Sequence, residues 1–487
     1  MTGAMMNENP GALVPELLLL GSAVVGLLLG GWLPRRRQYL VRLLAAGAAV
    51  SGLVAAAVAA RQPDQVVFGT SYAVDTATHA TRVIVLGSVL LALALSVEAT
   101  RGHPRETEFV VLLQLGALGT VLLGGANDLL LVVAAFLLAS IPFYALAGWN
   151  ATPLGVEAAM KYYLTGAFLG VAMLTGTAVL GGVAGSTAYG PLRDGLATAP
   201  VGAVAVGLVA LLAGPAFKIG AVPGHFWVPD VTDGTPPAVA AIVTTIPKIG
   251  GLVAVHRLLV VAVPAEVVDW PLLVAVLAAA SMTLGNLAAF FQTSVQRLLA
   301  YSTISQVGYL LVAVAVAGRA GLAQPALLFY LAAYAVTNLG VFAVVAALPR
   351  ARTLDDYRGA ARRHPVLVTA LLVGLFGLIG TPPTAVFLGK LTVFTAAVDG
   401  GAAWLAVLAL VNTVASVFYY LRWIAPAFHR AGADPAAPPA VRTWAAATAC
   451  VAAAATLLLG LLGGLVLPLL DGPAAAPTPG SGPPASG

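Results

Sequence analysis

Long apolar runs alternate with short polar breaks along almost the whole chain. Runs of this length are typical of transmembrane helices, which need about 20 residues to cross the hydrocarbon core of a bilayer. The first run is too long for a cleaved signal peptide and is followed by Arg35, Arg36 and Arg37, so we expect a retained helix. The pattern predicts fourteen spans, near residues 11–33, 39–60, 79–99, 108–125, 127–149, 157–184, 199–228, 236–262, 270–291, 295–317, 323–348, 365–398, 402–428 and 442–468.

Two predicted spans, 199–228 and 365–398, are too long for one straight helix. The first contains the dipeptides Gly214-Pro215 and Pro223-Gly224, and the second contains Gly380-Thr381-Pro382-Pro383. Proline removes a backbone donor and clashes with the preceding turn, so each span is expected to be two half-helices joined by an irregular linker. Such linkers survive at membrane depth only where they are buried in protein or face a watery cavity.

The composition supports an all-α polytopic membrane protein. The 487 residues are 60% hydrophobic and only 9% charged, against about 25% charged in soluble proteins. Mean hydropathy is +0.95. The single cysteine, Cys450, excludes a disulfide framework or a cysteine-ligated cluster within the chain. The net charge of +5 comes from loop arginines, and no basic surface element indicates nucleic-acid binding.

The arginines predict an orientation. By the positive-inside rule, the loops that hold most arginines are cytoplasmic, which places both termini on the outer face. The loops after odd-numbered spans contain Arg35, Arg36, Arg37, Arg101, Arg105, Arg350, Arg352, Arg358, Arg362 and Arg363.

The four lysines behave differently from the arginines, because all four lie inside predicted spans: Lys161, Lys218, Lys248 and Lys390. A charged side chain at the centre of a span costs about 2.5–3.5 kcal/mol on insertion scales. A genome that avoids lysine explains why they are few, but not where they lie. A buried lysine can lose and regain its proton, whereas arginine stays charged. The pattern therefore favours proton transfer, with salt bridges that pin helices as the structural alternative.

The neighbours of the lysines sharpen this prediction. Glu157 and Lys161 are four residues apart and share a helix face, as either a stabilising pair or a pair that modulates proton release. Lys218 is expected to follow a break at Pro215, Lys248 directly follows a proline, and Lys390 lies shortly after the second break. Freed backbone groups and water near such breaks could solvate a proton path.

Other polar residues are weaker candidates. The tenth span carries one stripe of residues suited either to ordering water or to bonding between helices: Ser302, Ser305, Gln306 and Tyr309. His225 and His256 are possible relays or simply loop and helix-end residues. Asp128 is expected to cap a helix, and Asp230 and Asp233 are expected in a loop. We find no phosphate-binding loop, metal-ligand cluster or haem ligand spacing, so no cofactor is expected in this chain.

Five segments resemble a known family: Met160–Tyr163, Phe217–Asp230, Gly380–Lys390, Asn127–Leu130 and Ala300–Tyr309. They resemble the antiporter-type membrane subunits of respiratory complex I, the bacterial NADH-quinone oxidoreductase, and among them most closely the subunit N group. The resemblance covers nearly the whole chain.

The resemblance implies fourteen helices with two inverted five-helix repeats, each containing one broken helix. It divides the chain into 1–107 (three N-terminal helices), 108–262 and 263–430 (the two repeats) and 431–470 (the last helix). The remaining residues, 471–487, are rich in Pro, Ala, Gly and Ser and are expected to form a disordered tail.

The resemblance also implies a function. Lys218, Lys248 and Lys390 would be proton carriers, moving H⁺ from the cytoplasm outward across the bacterial plasma membrane. Redox chemistry at flavin, iron–sulfur centres and quinone in partner subunits would drive this movement. Partners would be other membrane subunits, including related antiporter-like subunits on one flank, and lipid.

The chain departs from the family pattern at two positions. Where the family places a glutamate on the fifth helix, a count without gaps reaches Leu137, so we expect Glu157 to take over the modulating role. Gln306 stands where relatives often carry histidine, and can only order water. Two alternatives stay open: a subunit of a multi-subunit cation/proton antiporter or membrane-bound hydrogenase, and a scaffold that no longer pumps.

Overall fold

The N-terminal part of the chain forms three long helices and a short hairpin. The structure, a computed structural model, describes residues 9–429 and 441–472. The elements in this part are α1 (Val14–Trp32), α2 (Tyr39–Ala59), β1 (Gln65–Val67), β2 (Tyr72–Val74), α3 (Thr76–Leu95) and the one-turn α4 (Val97–Thr100). The two strands pair antiparallel, with Gln65 opposite Val74.

Helix α3 is tied to the middle of the chain at its first turn. Asp75 caps the helix by accepting a hydrogen bond from the Thr78 N–H at 3.0 Å. Its carboxylate also receives two bonds, at 2.6 and 2.7 Å, from the guanidinium of Arg257. A fully buried pair of this kind compensates its desolvation cost only through such paired geometry, so it fixes the N-terminal helices against the first predicted repeat.

The central part of the chain contains eight helices. They are α5 (Glu106–Gly125), α6 (Leu129–Leu138), α7 (Ile141–Ala147), α8 (Pro153–Ala184), α9 (Tyr189–Thr198), α10 (Val201–Ile219), α11 (Trp227–Gly234) and α12 (Pro237–Arg257). A π-helical turn, Leu258–Ala262, follows α12. The short helix α9 lies in a stretch that the hydrophobic pattern treated as a loop.

Two predictions for this region need correction. The helix α10 continues through Pro215, and the break falls later, at residues 220–226, so Lys218 precedes the interruption rather than following it. The fifth span, predicted as continuous, is divided at Ala139 and Ser140 into α6 and α7. The cap predicted for Asp128 is confirmed, because its carboxylate accepts from the Leu130 N–H at 2.7 Å.

The last part of the chain carries the second predicted break. Its helices are α13 (Trp270–Ala289), α14 (Val295–Ala315), α15 (Ala323–Ala347), α16 (Ala360–Arg363), α17 (Pro365–Ile379), α18 (Ala385–Asp399), α19 (Ala403–Phe428), α20 (Thr443–Leu461) and α21 (Gly463–Val466). The twelfth span is divided between α17 and α18, as the prolines predict. Most of the expected disordered tail, from residue 473 onward, lies outside the described residues.

Three helices form the centre of the molecule. Nearly every residue of α12, α14 and α15 is buried, whereas α8 is mostly exposed at the periphery. Close approach at the centre requires a small residue: a Cβ at Gly250 of α12 would lie 2.0 Å from the carbonyl oxygen of Thr120 on α5. The centre therefore contains Lys248, on α12, and the predicted polar stripe of α14.

The predicted membrane architecture is confirmed at the level of helix number. Within the described ranges, 13 helices are long and apolar enough to cross a membrane, or up to 14 with one bent pair. The predicted domain boundary at 107/108 falls in the first turn of α5, and the boundary at 262/263 falls at the end of the π-helical turn. The two inverted repeats stay a prediction.

Candidate functional site

The first broken span ends its leading half-helix, α10, with a left-handed glycine. Gly220 has φ 74°, a conformation that favours glycine, and the Ala221 N–H donates back to the Ala216 carbonyl at 2.9 Å. This hydrogen bond provides a donor for one of the last carbonyl groups of α10. The Ile219 carbonyl would ordinarily accept from the residue four positions on, but that residue is Pro223, which has no N–H.

The second broken span repeats the same cap. Gly380 has φ 94°, and the Thr381 N–H donates to the Phe376 carbonyl at 3.0 Å. The carbonyls of Leu378 and Ile379 are again four residues before prolines, here Pro382 and Pro383. Both half-helices therefore end with carbonyl groups at membrane depth for which the backbone offers no donor.

Two of the predicted lysines supply the missing donors. The Lys248 ammonium donates to the Ile219 carbonyl at 2.8 Å. The Lys390 ammonium donates to the Leu378 carbonyl at 3.1 Å and to the Ile379 carbonyl at 2.9 Å. The negative end of each half-helix dipole faces a cation. Lys248 lies within the unbroken α12, so it reaches a break through a tertiary contact and not through its own helix.

Lys218 has a different environment. Its ammonium donates to the Ser140 hydroxyl, at the division between α6 and α7, and lies 4.7 Å from the centre of the Phe136 ring. The side chain passes close to α12, because a Cβ at Gly251 would be 3.2 Å from Lys218 Cγ. Leu137, the position of the missing glutamate, is 45% exposed on the outside of the chain. In the fifth span, Ser140 and Phe136 therefore contact Lys218, and Leu137 does not face it.

None of these three buried lysines forms a salt bridge with a carboxylate among the described residues. Lys218, Lys248 and Lys390 are almost completely inaccessible. Their ammonium groups are held by carbonyl oxygens, a hydroxyl and aromatic faces. The salt-bridge alternative therefore fails for all three within the described chain.

A polar connection that sequence reasoning missed extends from α12 to α14. Thr244 and Thr245 lie one turn before Lys248 and accept from the Asn338 amide of α15 at 3.2 and 2.8 Å. The Tyr334 hydroxyl, also on α15, donates to the Thr244 carbonyl at 3.0 Å. Threonines in an apolar helix are common, so only the position of these residues one turn from a lysine could have marked them.

The same connection continues into α14. Thr303 and Tyr334 share a hydrogen bond of 3.0 Å between their hydroxyl groups. Gln306, one turn after Thr303, donates to the Leu378 carbonyl at 2.9 Å. Lys390 contacts this same carbonyl, so a series of polar groups runs from the surroundings of Lys248 to Lys390.

The predicted polar stripe of α14 is buried, and each member has a direct partner. Ser302 bonds the Tyr420 hydroxyl, and Gln306 also accepts from the Tyr330 hydroxyl. Ser305 donates to Asn286 at 3.1 Å. The ring of Tyr309 lies 4.3 Å from the Lys390 ammonium. The water-ordering role stays a prediction.

The predicted pair Glu157–Lys161 forms, but at the surface of the chain. Their charged atoms are 2.8 Å apart, and the Lys161 side chain is 45% exposed. Lys161 also pairs with Asp230 at 2.7 Å, and Arg297 pairs with the other oxygen of Asp230 at 2.9 Å. Asp230 therefore belongs to helix α11 and to an ion-pair cluster, which corrects its assignment to a loop. Asp233 also lies in α11.

Asp230 connects this cluster to the broken span, since α11 is its second half. Its two carboxylate oxygens accept hydrogen bonds from Lys161 at 2.7 Å and from Arg297 at 2.9 Å. Among the described residues, no hydrogen bond or ion pair joins the cluster to Lys218, so the modulating role of Glu157 and Lys161 stays a prediction.

His225 lies in the linker between α10 and α11. Its ring is buried beside Phe226, with 4.5 Å between ring centres, and its Nδ1 meets no hydrogen-bond partner among the described residues. His256 is buried in the last turn of α12. Among the described residues, no group of three or more His, Cys, Asp or Glu could hold a metal ion.

Comparison with known proteins identifies the family. The family model described as "NADH:quinone oxidoreductase/Mrp antiporter, TM" matches residues 126–416. The chain belongs to this family. The match contains both broken spans and all four lysines.

Individual relatives agree over almost the full length. "NADH-quinone oxidoreductase subunit N 1" of Streptomyces griseus is 62% identical, over 96% of this chain and 98% of that protein. "NADH-quinone oxidoreductase subunit N" of a Mycobacterium species is 49% identical, over 95% and 98%. A chain of respiratory complex I from Thermus thermophilus superimposes with a TM-score of 0.80 at 34% identity, covering 95% of this chain and 100% of that one. The family predicted from the motifs is thus confirmed.

Proposed function

We propose that this chain is a proton-translocating, non-redox membrane subunit of NADH:quinone oxidoreductase, in which H⁺ moves between Lys218, Lys248 and Lys390. The observation that carries the proposal is that all three lysines are buried without a carboxylate partner. Two of them are held by the carbonyl ends of broken helices. Membership of the family and the names of the relatives support the same conclusion.

The geometry suits a reversible proton carrier. An ammonium group has three N–H donors, and the neutral amine keeps two. Lys390 bonds two carbonyls, so it can lose a proton and still satisfy both of them. A carboxylate partner would hold the proton through charge, whereas carbonyl acceptors favour the charged form less strongly. Both protonation states are therefore accommodated without rearranging the helix ends.

The polar groups between α12 and α14 supply a route for the proton. Hydroxyl groups donate and accept at once, so Tyr334 and Thr303 can pass a proton by exchanging bonds. Asn338 orients the threonines beside Lys248. We assign Ser302, Ser305, Gln306 and Tyr309 to ordering water near Lys390, and His225 to relaying protons at the first break.

The surface pair provides a candidate control element. Glu157 and Lys161 act on the second half of the broken span through Asp230, because Lys161 bonds both carboxylates. Movement of the Glu157 and Lys161 side chains would change the charge that faces α11. Retention of full pumping by Glu157→Gln would contradict this role.

The surroundings follow from the proposed assembly. Flavin, iron–sulfur centres and quinone belong to partner subunits, and related antiporter-like subunits lie on one flank. The chain crosses the bacterial plasma membrane with both termini on the outer face, and H⁺ moves from the cytoplasm outward. Cysteine accessibility at residues introduced beside Arg101 and Arg319 would test this orientation, since the proposal places them on opposite faces.

The central experiment replaces Lys248 by glutamine in the assembled complex. Proteoliposomes are energised with NADH and a quinone, and protons moved per electron are measured together with turnover. We expect a lower proton yield or a matching loss of coupled turnover, because glutamine keeps a donor for the Ile219 carbonyl but carries no proton. Arg319→Gln, which removes an exposed loop cation, should leave both quantities unchanged.

The two alternatives give different results. An unchanged proton-to-electron ratio in fully assembled Lys248→Gln and Lys218→Ala complexes would favour a scaffold that does not pump. Purification with a purely membranous set of partners, free of flavin and iron–sulfur centres, would favour a cation/proton antiporter. A hydrogenase would retain iron–sulfur centres but lack NADH:quinone activity.

A further inference from the structure

A groove far from the lysines opens between α2, α3 and the start of α20. It has a cavity volume of about 390 Å³, within the range of about 300–1,000 Å³ typical of ligand sites. Its lining residues are Tyr39, Arg42, Leu43, Ala46, Leu90, Leu93, Ala94, Val97, Arg101, Glu106 and Trp444.

The groove is amphipathic along its length. One part is walled by aliphatic side chains of α2 and α3, which include Leu43 and Leu90. The other part carries two half-exposed aromatic residues, Tyr39 and Trp444. Tyrosine and tryptophan collect where lipid headgroups meet the acyl chains, so this end of the groove lies at headgroup depth.

Of the three charged residues that line the groove, Arg42 and Glu106 pair with each other, and Arg101 has no such partner among the described residues. Arg42 donates to the Leu93 carbonyl at 2.6 Å and the Ser96 hydroxyl at 2.9 Å, and pairs with Glu106 at 3.5 Å. The second oxygen of Glu106 accepts from the Gly102 N–H at 2.9 Å. Arg101 is exposed, and its side chain has no hydrogen bond or ion pair with any described residue.

More positive charge lies beside the groove. The exposed turn Arg35–Arg37 is separated from Tyr39 by one residue, Gln38. The nearby carboxylate of Glu98 accepts from the backbone N–H groups of Trp444 and Ala445 at the start of α20, at 2.6 and 3.2 Å, and keeps its negative charge. The arginines around the groove still outnumber the carboxylates of Glu98 and Glu106, so the net charge of these residues is positive.

We propose that this groove binds one anionic phospholipid of the leaflet that the arginines mark as cytoplasmic. The phosphate is held by Arg101, with Arg35–Arg37 adding attraction at the mouth, and an acyl chain lies along the aliphatic wall of α2 and α3. Basic pockets between transmembrane helices at this membrane face have the chemistry that anionic headgroups require. The aliphatic wall favours a lipid over a free anion, because only a lipid has an acyl chain that can pack against it.

The test uses the complex assembled with this chain in nanodiscs. One sample contains phosphatidylglycerol with a photoactivatable diazirine in its acyl chain, and a matched sample contains the corresponding phosphatidylcholine. After illumination, mass spectrometry locates the labelled peptides. We expect labelling of the peptides around Leu43 and Leu90, and stronger labelling by phosphatidylglycerol than by phosphatidylcholine.

Two variants separate the roles of charge and shape. Arg101→Gln should lower labelling by phosphatidylglycerol about fivefold, which corresponds to the ~1 kcal/mol that one basic residue contributes near an anionic surface. Arg362→Gln, an exposed arginine on the same predicted face, should leave labelling unchanged. Ala94→Phe narrows the groove without changing its charge, and should reduce labelling by both lipids.

Three results would overturn the proposal. The first is equal labelling by the two lipids that Arg101→Gln does not change. The second is a cross-link from the groove to a neighbouring protein subunit in place of lipid, which would make the groove a protein interface. The third is full displacement of the lipid by millimolar inorganic phosphate, which would make it a site for a free anion.

Discussion

Lys390 has two separable roles, as donor to a broken helix and as proton carrier, and substitutions can tell them apart. Its ammonium bonds the carbonyls of Leu378 and Ile379. In Lys390→Met both bonds are lost, but the Leu378 carbonyl keeps the Gln306 amide at 2.9 Å. Only the Ile379 carbonyl is left buried without a donor, because Pro383 offers none.

Lys390→Met therefore leaves one buried carbonyl without a hydrogen-bond donor, and not two. An unsatisfied buried group costs about 1–3 kcal/mol. This corresponds to a roughly 5- to 150-fold larger open population, since 1.4 kcal/mol is about tenfold. Native-state proteolysis of the subunit within the complex reports this population when opening is fast relative to cleavage. Lys390→Gln keeps an amide donor and should recover at least half of the loss.

Proton transport should respond differently. Neither methionine nor glutamine carries a proton, so both variants lose a positioned carrier, a contribution of about 10²–10⁴-fold in rate. We expect the same deficit in protons moved per electron, or in coupled turnover, for both variants in NADH-energised proteoliposomes. Thr392→Val is a control on the same helix, because this hydroxyl bonds only its own backbone at Gly389.

Two outcomes would refute this reasoning. Wild-type proton yield in Lys390→Gln would make the lysine a helix donor without a transport role. Equal proteolysis of the methionine and glutamine variants would show that the Ile379 carbonyl does not depend on the side chain at position 390.

Three further predictions concern the same path and its surroundings. Asn338→Leu removes the donor to Thr245 and should slow coupled turnover severalfold while the complex still assembles. Gly380→Ala should destabilise the second break by at least about 1–2 kcal/mol, which is the cost of a left-handed conformation for a residue other than glycine. The new Cβ would also lie 2.9 Å from Lys390 Cδ, which adds to this cost. Native-state proteolysis measures the loss of stability. Asp230→Asn removes the ion pairs with Lys161 and Arg297 and should raise the proteolysis rate by no more than about fivefold, because exposed ion pairs contribute at most about 1 kcal/mol.

Each of these variants has a matched control. Thr177→Val removes a buried hydroxyl that bonds only its own helix, at Met173, and should leave turnover unchanged. Gly318→Ala introduces the same left-handed strain, at φ 78°, with nothing near the added Cβ; a loss as large as that of Gly380→Ala would show that the lysine contact adds nothing. Asp355→Asn removes the more exposed ion pair with Arg358, and a larger effect on proteolysis than that of Asp230→Asn would contradict this reasoning.

The amino-acid sequence by itself determined the membrane class, the number of spans and the presence of two broken helices. These features depend on local composition: about 20 apolar residues make a span, and Gly and Pro close together in an overlong span favour a break in the helix. The sequence also singled out four lysines inside apolar runs, of which Lys218, Lys248 and Lys390 are buried and Lys161 is at the surface.

The tertiary structure alone decided what each lysine meets. Lys248 and the Ile219 carbonyl are 29 residues apart, and Asn338 and Thr244 are 94 apart, so packing and not spacing brings them together. The exact break also depended on packing, because α10 tolerates Pro215 and ends only at Gly220. Lys248 and Lys390 donate to backbone carbonyls whose usual donors are missing because a proline lies four residues after each carbonyl. This relation becomes visible only when the helices are assembled.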